Sequence, residues 1–501
     1  MLETVAAHLR FAASMVFGLP FSARSLDRLV DALLATQGEF GTIGSEGAEL
    51  LGGPALDEET RRAIQLRRFR TQAVRGARET PYYGRLFVQL GLDPARLHYD
   101  DIQRIPLTPK EALRDAPDAF VRRTAQPCFR TTTTGTTGKP TSVCFSQYEL
   151  HTFVALEAMH LLLHRQIAPD DIVLISASSR ATLGNTCFAG ACARIGAQVS
   201  LGGLVEPEHT LVLLTEPRRL SGKKSRGSAV SIYPSYLGEL VTCGLQMGYR
   251  PADFGLERIF TGGEIVTAGL KARSQALFGE VQFTEGYGMT EPWPFGGTLC
   301  AEGHLHFDPA HGLLEVLDPA TGAVARAGEI GTIVATPFPP FRETTILLRY
   351  NTQDVVRPIA EPLTCSLRHL PATTNLLGKQ RLAVRHDGGW TFPRDVLEAL
   401  EAVEAVPLPA RCGFWAVPGG VAVEVVTRED TPGIRRTIAQ GLEAGGVPVR
   451  ELYLVEHCSQ LRHPLPLRCD LRETSFSQPV GGRPAELAGE LVQPQHAAIG
   501  G

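Results

Sequence analysis

The stretch TTTTGTTGKPT at residues 131–141 constrains this chain more than any other. Its glycines, Gly135 and Gly138, allow backbone conformations in which successive amide N–H groups converge on an anion. The threonine hydroxyls add hydrogen-bond donors, and Lys139 adds positive charge. A Walker A loop is excluded, because only two residues separate the glycines and a proline follows the lysine. We interpret the stretch as a phosphate-binding loop rather than a flexible linker.

The composition is that of an ordinary soluble protein. The chain has 501 residues, of which 43% are hydrophobic and 20% charged, and this length accommodates two domains. The net charge of −4 gives no reason to expect a nucleic acid or an acidic membrane as a partner. No apolar run is long enough to span a bilayer, and the run at 5–21 contains charged residues, unlike a signal peptide. Ten cysteines without a repeated framework favour a reducing compartment, so we expect a cytoplasmic protein.

Short apolar runs alternate with helical stretches after the loop. This alternation predicts an α/β fold with a large domain of mixed, mostly parallel sheets covered by helices. Ligands of such sheets bind beyond the carboxyl ends of the strands. The predicted strands are 171–178, 197–204 and 228–235, and the predicted helices between them are 146–165 and 184–196.

Two polar turns follow further apolar strands. The first contains Gly262, Gly263 and Glu264, and the second is YGMTE at residues 287–291. An aromatic ring beside a glycine can stack on a flat base while the backbone approaches closely. A carboxylate a few residues later can hold a Mg²⁺ ion that bridges phosphates. The second turn therefore has the residue types needed to bind a nucleotide.

The order and spacing of these motifs resemble the adenylate-forming enzymes, the superfamily of acyl-CoA synthetases and adenylation domains. Within it the chain is most similar to the phenylacetate–CoA ligase branch, over about residues 65–475. The motif RY-x-T-x-D in LLRYNTQDVV (347–356) is similar to the family's RYRTGD, with Gln353 in place of the usual glycine.

The resemblance implies a role for each motif. Tyr287 would stack on adenine, Thr290 would contact the α-phosphate, Glu291 would bind Mg²⁺ and Asp354 would hold the ribose hydroxyls. Lys139, Thr290 and Glu291 are the implied catalytic residues. The full set of implied cofactor-binding residues is Thr133, Thr134, Gly135, Thr136, Thr137, Gly138, Lys139, Gly262, Gly263, Glu264, Tyr287, Gly288, Thr290, Asp354 and Lys379.

The chain divides into four predicted segments. Leucines and valines at helical spacing predict an N-terminal helical segment (1–60), and a composition rich in Gly, Pro and Gln predicts a disordered tail (476–501). Between them, the resemblance implies a large domain (61–377) followed by a small α+β lid (378–475). The turn LTPK at 107–110 is interpreted as a packing feature, with Lys110 directed to solvent.

One departure from the family concerns catalysis. Its members usually carry a lysine near the C-terminus that stabilises charge during adenylation, whereas all six lysines here lie at or before the hinge at Lys379. The corresponding segment has Pro464 and three arginines, Arg462, Arg468 and Arg472, which are the candidates to supply the missing charge. Losing one such donor typically costs about 10²–10³ in rate. We therefore expect adenylation to be the slow step.

Two short clusters contain potential zinc ligands. Cys300 and His306 lie in CAEGHLH and Cys365 in CSLRH, and these three residues resemble a metal pair found in some members of the branch. His369 or His304 would complete the site. Unpaired thiols beside half-exposed histidines are an equally good reading of the same residues.

The leading functional hypothesis is an acid–thiol ligase that uses ATP and Mg²⁺ to activate a carboxylic acid as an acyl-adenylate and transfers it to coenzyme A or a carrier-protein thiol. One alternative is an adenylyl transferase that donates AMP to a small molecule. Another is a nucleotide-binding protein without catalysis. The sequence leaves the acid and the oligomeric state, a homodimer included, open.

Overall fold

The computed structural model describes residues 2–17, 22–40, 57–133, 140–178, 182–360 and 362–466. The core of the phosphate-binding loop, 134–139, lies outside these ranges. No helix in the described ranges is long and apolar enough to cross a membrane.

Helices form the N-terminal layer, as predicted. Helices α1 (Leu2–Phe17) and α2 (Ala23–Phe40) contribute to one core cluster, which includes Ala7 of α1, Leu26, Leu29 and Val30 of α2, and Ala155 and Leu162 of a later helix. A long helix, α3 (Glu58–Glu79), begins at an Asp57 cap and continues through a short turn into α4 (Pro81–Leu90).

A large mixed sheet forms the centre of the molecule and confirms the predicted α/β class. Its strands are β3 (Ile172–Ser176), β4 (Gln198–Leu201), β5 (Ala229–Ile232), β6 (Arg258–Thr261), β7 (Gln282–Gly288), β8 (Gly296–Leu299), β9 (His304–Phe307) and β13 (Ala372–Thr374). The strand order is β13-β9-β8-β7-β6-β5-β3-β4, with parallel pairing from β4 to β7 and antiparallel pairing beyond.

Helices cover this sheet, as the apolar alternation requires. Helix α6 (Gln147–Leu163) precedes β3, and the helices that connect the later strands are α7 (Thr182–Ile195), α8 (Pro207–Thr215), α9 (Pro234–Gln246) and α10 (Ala268–Phe278). A short helix, α5 (Lys110–Asp115), precedes them in the chain.

Two smaller sheets complete the large part of the chain. Strands β1 (Pro127–Thr132) and β2 (Ser142–Ser146) form a hairpin and flank the predicted phosphate-binding loop in the sequence. A four-stranded antiparallel sheet contains β10 (Gly312–Leu317), β11 (Gly331–Pro337), β12 (Tyr350–Val356) and β14 (Gly378–Lys379). Strand β12 contains Asp354, so this sheet brings the RY-x-T-x-D motif to the site.

The C-terminal part has its own core. The hairpin β15 (Val384–His386) and β16 (Gly389–Thr391) precedes α11 (Pro393–Glu401), and β17 (Cys412–Val417), β18 (Gly420–Val426) and β19 (Val449–Val455) form a sheet covered by α12 (Pro432–Ala444). Helix α11 contacts α10 closely: a Cβ added at Gly269 would lie 2.4 Å from the carbonyl carbon of Glu401. Buried Thr267 also donates a hydrogen bond of 2.5 Å to the Glu401 carboxylate. The predicted domain boundaries stay predictions.

Candidate active site

The residues that flank the predicted phosphate-binding loop are paired in the β1–β2 hairpin. The Thr133 N–H donates to the Thr141 carbonyl at 2.9 Å, and the Thr141 N–H donates to the Thr133 hydroxyl at 3.3 Å. Thr131, in β1, shares a hydrogen bond of 2.5 Å with Thr182 at the start of α7. Thr134, Gly135, Thr136, Thr137, Gly138 and Lys139 lie outside the described residues, so their phosphate contacts stay predictions.

The glycine turn after β6 has a conformation that glycine favours. Gly263 has φ +79°, and a Cβ added there would lie 3.0 Å from a ring carbon of Tyr233. The Glu264 carboxylate accepts hydrogen bonds from the Ser235 N–H (2.9 Å) and hydroxyl (2.8 Å). These bonds hold the turn against the first turn of α9. A direct contact of Gly262, Gly263 or Glu264 with nucleotide stays a prediction.

Asp354 is the centre of one group of contacts. Tyr287 donates a hydrogen bond of 2.9 Å to one carboxylate oxygen, and the Lys379 ammonium lies 2.8 Å from the other. Lys379 also donates to the Thr352 carbonyl at 3.2 Å. Burial and the neighbouring Asp354 carboxylate raise the pKa of Tyr287 well above its usual value, so this phenol remains a donor. The structure therefore brings together the residues predicted for adenine, ribose and the hinge.

The turn accommodates Gln353 at the position where the family usually has glycine. Gln353 adopts φ +61°, in the left-handed region that glycine occupies without cost. Its N–H donates to the Asn351 side chain at 3.0 Å, which stabilises the turn. Such a conformation costs a non-glycine residue roughly 1–2 kcal/mol. The Asp354 carboxylate is nevertheless in position.

Glu291 is the centre of a second group. Its carboxylate is almost completely buried, and its Oε1 atom lies 3.0 Å from the Lys110 ammonium and accepts a hydrogen bond of 3.1 Å from Tyr350. The interpretation of Lys110 as a solvent-facing residue is thus wrong, because it forms an ion pair with the predicted Mg²⁺ ligand. The sequence around Lys110 did not indicate this ion pair, because Lys110 and Glu291 lie on distant segments of the chain. The one hint in the sequence was a lysine next to a turn in a chain that has few lysines.

The LTPK turn is fixed to the strand that carries the site. The Thr108 N–H donates to the Arg349 carbonyl at 2.8 Å, and the Asn351 N–H donates back to the Thr108 carbonyl at 3.1 Å. The Thr108 hydroxyl donates to the Leu348 carbonyl at 2.6 Å. These bonds place Lys110 beside Glu291 and agree with the packing role predicted for the turn itself.

The YGMTE turn leaves no room for a side chain at its glycine. A Cβ at Gly288 would lie 2.9 Å from the Trp293 ring. Thr290 is half-buried in the same turn, one residue before Glu291. Its predicted contact with the α-phosphate stays a prediction.

A group of four side chains has the composition of a metal site. The ligand atoms of Cys300, His304, His306 and Cys365 all lie within 4.8 Å of one another. The Cys365 Sγ is 3.2 Å from the His306 Nε2, and the buried Nδ1 of His304 has no hydrogen-bond partner among the described residues. Two thiols and two imidazoles are a usual donor set for structural Zn²⁺. Of the two candidates for the fourth ligand, His304 and His369, the structure places His304 in the group.

Arg462, the first arginine of the C-terminal segment, contacts residues of its own domain. Arg462 stacks on Tyr453 and Trp415, with its guanidinium carbon 4.3 and 5.0 Å from the two ring centroids. It also lies 3.7 Å from the buried Glu424 carboxylate. These contacts hold Arg462 against the sheet of its own domain. Arg468 and Arg472 lie outside the described residues.

Comparisons with known proteins agree with this geometry. The family model of the AMP-binding enzymes matches residues 89–336. A phenylacetate–coenzyme A ligase of Thermus thermophilus is 29% identical over 359 residues, which cover 70% of this chain and 78% of the relative. A protein of the same name from Aromatoleum evansii is 26% identical over 62% of this chain and 70% of the relative.

The fold is also that of a solved enzyme. The crystal structure of a 2-hydroxyisobutyryl-CoA ligase in the postadenylation state, in complex with 2-HIB-AMP, matches with a TM-score of 0.66 and 18% identity over 80% of this chain and 87% of that one. Residues 89–336 thus match the AMP-binding enzymes, and the chain is similar in sequence to phenylacetate–coenzyme A ligases and in fold to a solved acyl-CoA ligase.

Proposed function

We propose that the protein activates a carboxylic acid with ATP and transfers the acyl group to coenzyme A. The main support for the proposal is a pair of buried carboxylates, Asp354 in β12 and Glu291 in the YGMTE turn. Tyr350 of β12 shares a core cluster with Phe145 of the β1–β2 hairpin, so these elements lie together. The ligase names of its relatives support the same activity.

In the first step, a carboxylate oxygen of the acid attacks the α-phosphorus of ATP, and pyrophosphate leaves. Tyr287 and Asp354 would position the nucleoside, and Lys139 would lie at the phosphates. Glu291 would hold Mg²⁺, which would supply positive charge between phosphate oxygens. Lys110 and Tyr350 occupy the Oε1 atom of Glu291, and no described residue donates a hydrogen bond to Oε2, so that oxygen is the one available to a metal.

In the second step, the thiolate sulfur of coenzyme A attacks the acyl carbon, and AMP leaves with one of the original carboxylate oxygens. Lys379 connects the hinge directly to Asp354, so nucleotide binding at the ribose carboxylate would change the hinge contact. A carrier-protein thiol could react in the same way, and we place it second to coenzyme A.

A panel of aryl and aliphatic acids, assayed for ATP–pyrophosphate exchange and for thioester formation, tests this proposal. We expect at least one acid to support both reactions. Absence of both reactions across the panel would refute it. A stable AMP conjugate without thioester would favour the adenylyl transferase instead.

We further propose that Cys300, His304, His306 and Cys365 bind one structural Zn²⁺ ion, which would tie β9 to the segment containing Cys365. Purified protein should carry close to one equivalent of zinc. Cys365→Ser should lose it, whereas Cys458→Ser, at a cysteine outside the cluster, should retain it. A metal-free wild-type protein that is as stable with added zinc as without it would contradict the assignment.

A further inference from the structure

A cavity lies between the start of α3 and the strands β9 and β10. Its volume is about 200 Å³, and its walls come from the first two turns of α3, from Tyr99 and from residues in and around these strands. This volume exceeds the roughly 150 Å³ of an apolar protein cavity that holds benzene. The cavity can therefore take a ligand of the size of one substituted ring.

One side of the cavity is apolar. The rings of Phe295 and Phe307 stack on each other with centroids 5.6 Å apart, and each side chain is 1% exposed. Leu314, Pro309 and Pro371 extend this surface. Such a wall favours a flat, apolar part of a ligand.

The other side presents polar groups without partners. Gln65 is 8% exposed and lines the cavity, and its side-chain amide forms no hydrogen bond with any residue in the described ranges. The same is true of the half-buried Tyr99 hydroxyl. Native proteins rarely keep a buried polar group unpaired unless a water molecule or a ligand supplies the bond. Gln65 thus indicates that a polar group enters the cavity.

The two arginines of this wall differ in their contacts. Arg62 lies 2.7 Å from the Glu58 carboxylate, and its guanidinium carbon lies 5.4 Å from the centre of the Tyr99 ring. Arg61 is half-buried, and its side chain forms no hydrogen bond or ion pair with the described part of the chain. Because Glu58 pairs with Arg62, the positive charge of Arg61 is left for a ligand.

The cavity is separate from the nucleotide site but adjoins it. Phe307 contacts Tyr287 edge to face, with ring centroids 6.0 Å apart, and the Tyr287 hydroxyl donates to Asp354. None of the described residues predicted to bind nucleotide lines the cavity. One ring, Phe307, therefore separates a ligand in the cavity from the tyrosine predicted to stack on adenine.

We propose that this cavity is a second ligand site, which binds a small aromatic carboxylate. The Arg61 guanidinium pairs with the carboxylate. The Gln65 amide and the Tyr99 hydroxyl donate hydrogen bonds to its oxygens, and the aromatic ring lies against the apolar side. The site goes beyond the proposed ligase activity, because the carboxylate bound here is not the one that is activated.

Calorimetry with benzoate as the probe tests the assignment. Benzamide, which has the ring without the charge, and acetate, which has the charge without the ring, are the matched ligands. Each is titrated into the wild type, Arg61→Met, Gln65→Glu and Arg78→Met. The last variant is a control that removes the same charge from an exposed position at the other end of α3.

We expect the wild type to bind benzoate at least about tenfold more tightly than benzamide or acetate. Arg61→Met should weaken benzoate binding by about tenfold or more, because it removes a charge-assisted hydrogen bond. Gln65→Glu keeps the shape of the side chain but places a carboxylate beside Arg61, so it should have an effect at least as large. Arg78→Met should leave the affinity unchanged, and circular dichroism shows whether each variant is folded.

Equal affinity of the wild type and both cavity variants for benzoate would overturn the assignment, because the probe would then bind elsewhere, the acid-activating site included. Acetate binding as tight as that of benzoate would reduce the cavity to a simple anion site. Displacement of benzoate by coenzyme A would assign the cavity to the thiol substrate instead. No detectable benzoate binding would also refute the proposal, and none of these results would contradict acyl-adenylate formation, which is assayed separately.

Discussion

The ion pair between Lys110 and Glu291 yields the sharpest prediction about the site. Lys110→Met removes the ammonium and leaves a carboxylate that is 1% exposed, with Tyr350 as its remaining hydrogen-bond donor among the described residues. At the observed 3.0 Å, two unit charges attract by about 5–6 kcal/mol with an effective dielectric constant of roughly 20. Part of this attraction is offset by the cost of desolvating the lysine. We expect a net loss of about 3 kcal/mol in the free energy of unfolding, as is typical when one partner of a buried pair is removed.

A double-mutant cycle in urea unfolding measures this coupling. Lys110→Met, Glu291→Gln and the double variant are compared with Arg96→Met, which breaks an exposed pair with Asp93 and should cost less than about 1 kcal/mol. The double variant should be more stable than Lys110→Met, because the neutral amide introduced at position 291 needs no counter-charge. If Lys110→Met costs no more than Arg96→Met, or if the cycle gives no coupling energy, the structural argument about Glu291 is refuted.

Three further variants test other contacts. Burial raises the folded-state pKa of Glu157 from its usual 4.5 to about 7, so its contribution to stability is complete below pH 4.5 and is lost as the pH rises through 7. Between pH 4 and pH 8, the free energy of unfolding of Glu157→Gln should therefore rise by about 3 kcal/mol relative to that of the wild type, as measured by urea unfolding. A difference that does not depend on pH would contradict this. Tyr83→Phe removes the hydroxyl that accepts from the Leu348 N–H at 2.8 Å in a fully buried position, and should cost about 1–3 kcal/mol in the same assay. Asp354→Asn should weaken ATP binding by at least about tenfold in calorimetry, whereas unchanged affinity would remove Asp354 from the nucleotide site.

Local patterns predicted the parts of the fold that depend on short segments. The apolar runs at 171–178 and 228–235 were enough to predict β3 and β5, because a strand buried on both faces is continuously apolar. The RY-x-T-x-D motif predicted where Asp354 would lie, and the structure shows that Gln353 adopts the left-handed turn in place of glycine.

Contacts between distant segments were not predictable in the same way. Lys110 reaches Glu291 because the LTPK turn is hydrogen-bonded to β12, which no local pattern shows. The choice of His304 over His369 depends on the pairing of β9 with β13, since that register decides which ring faces Cys365. Glu157 carried no motif, and its position opposite α7 became visible only when the helices were packed.

Isotope transfer tests the central claim most directly. An acid that supports thioester formation is labelled with ¹⁸O in both carboxylate oxygens, and the products formed with ATP and coenzyme A are analysed by mass spectrometry. Attack of the carboxylate on the α-phosphorus predicts one ¹⁸O atom in AMP, one in the acyl thioester and none in pyrophosphate. AMP without ¹⁸O would contradict an acyl-adenylate and with it the proposed role of the site.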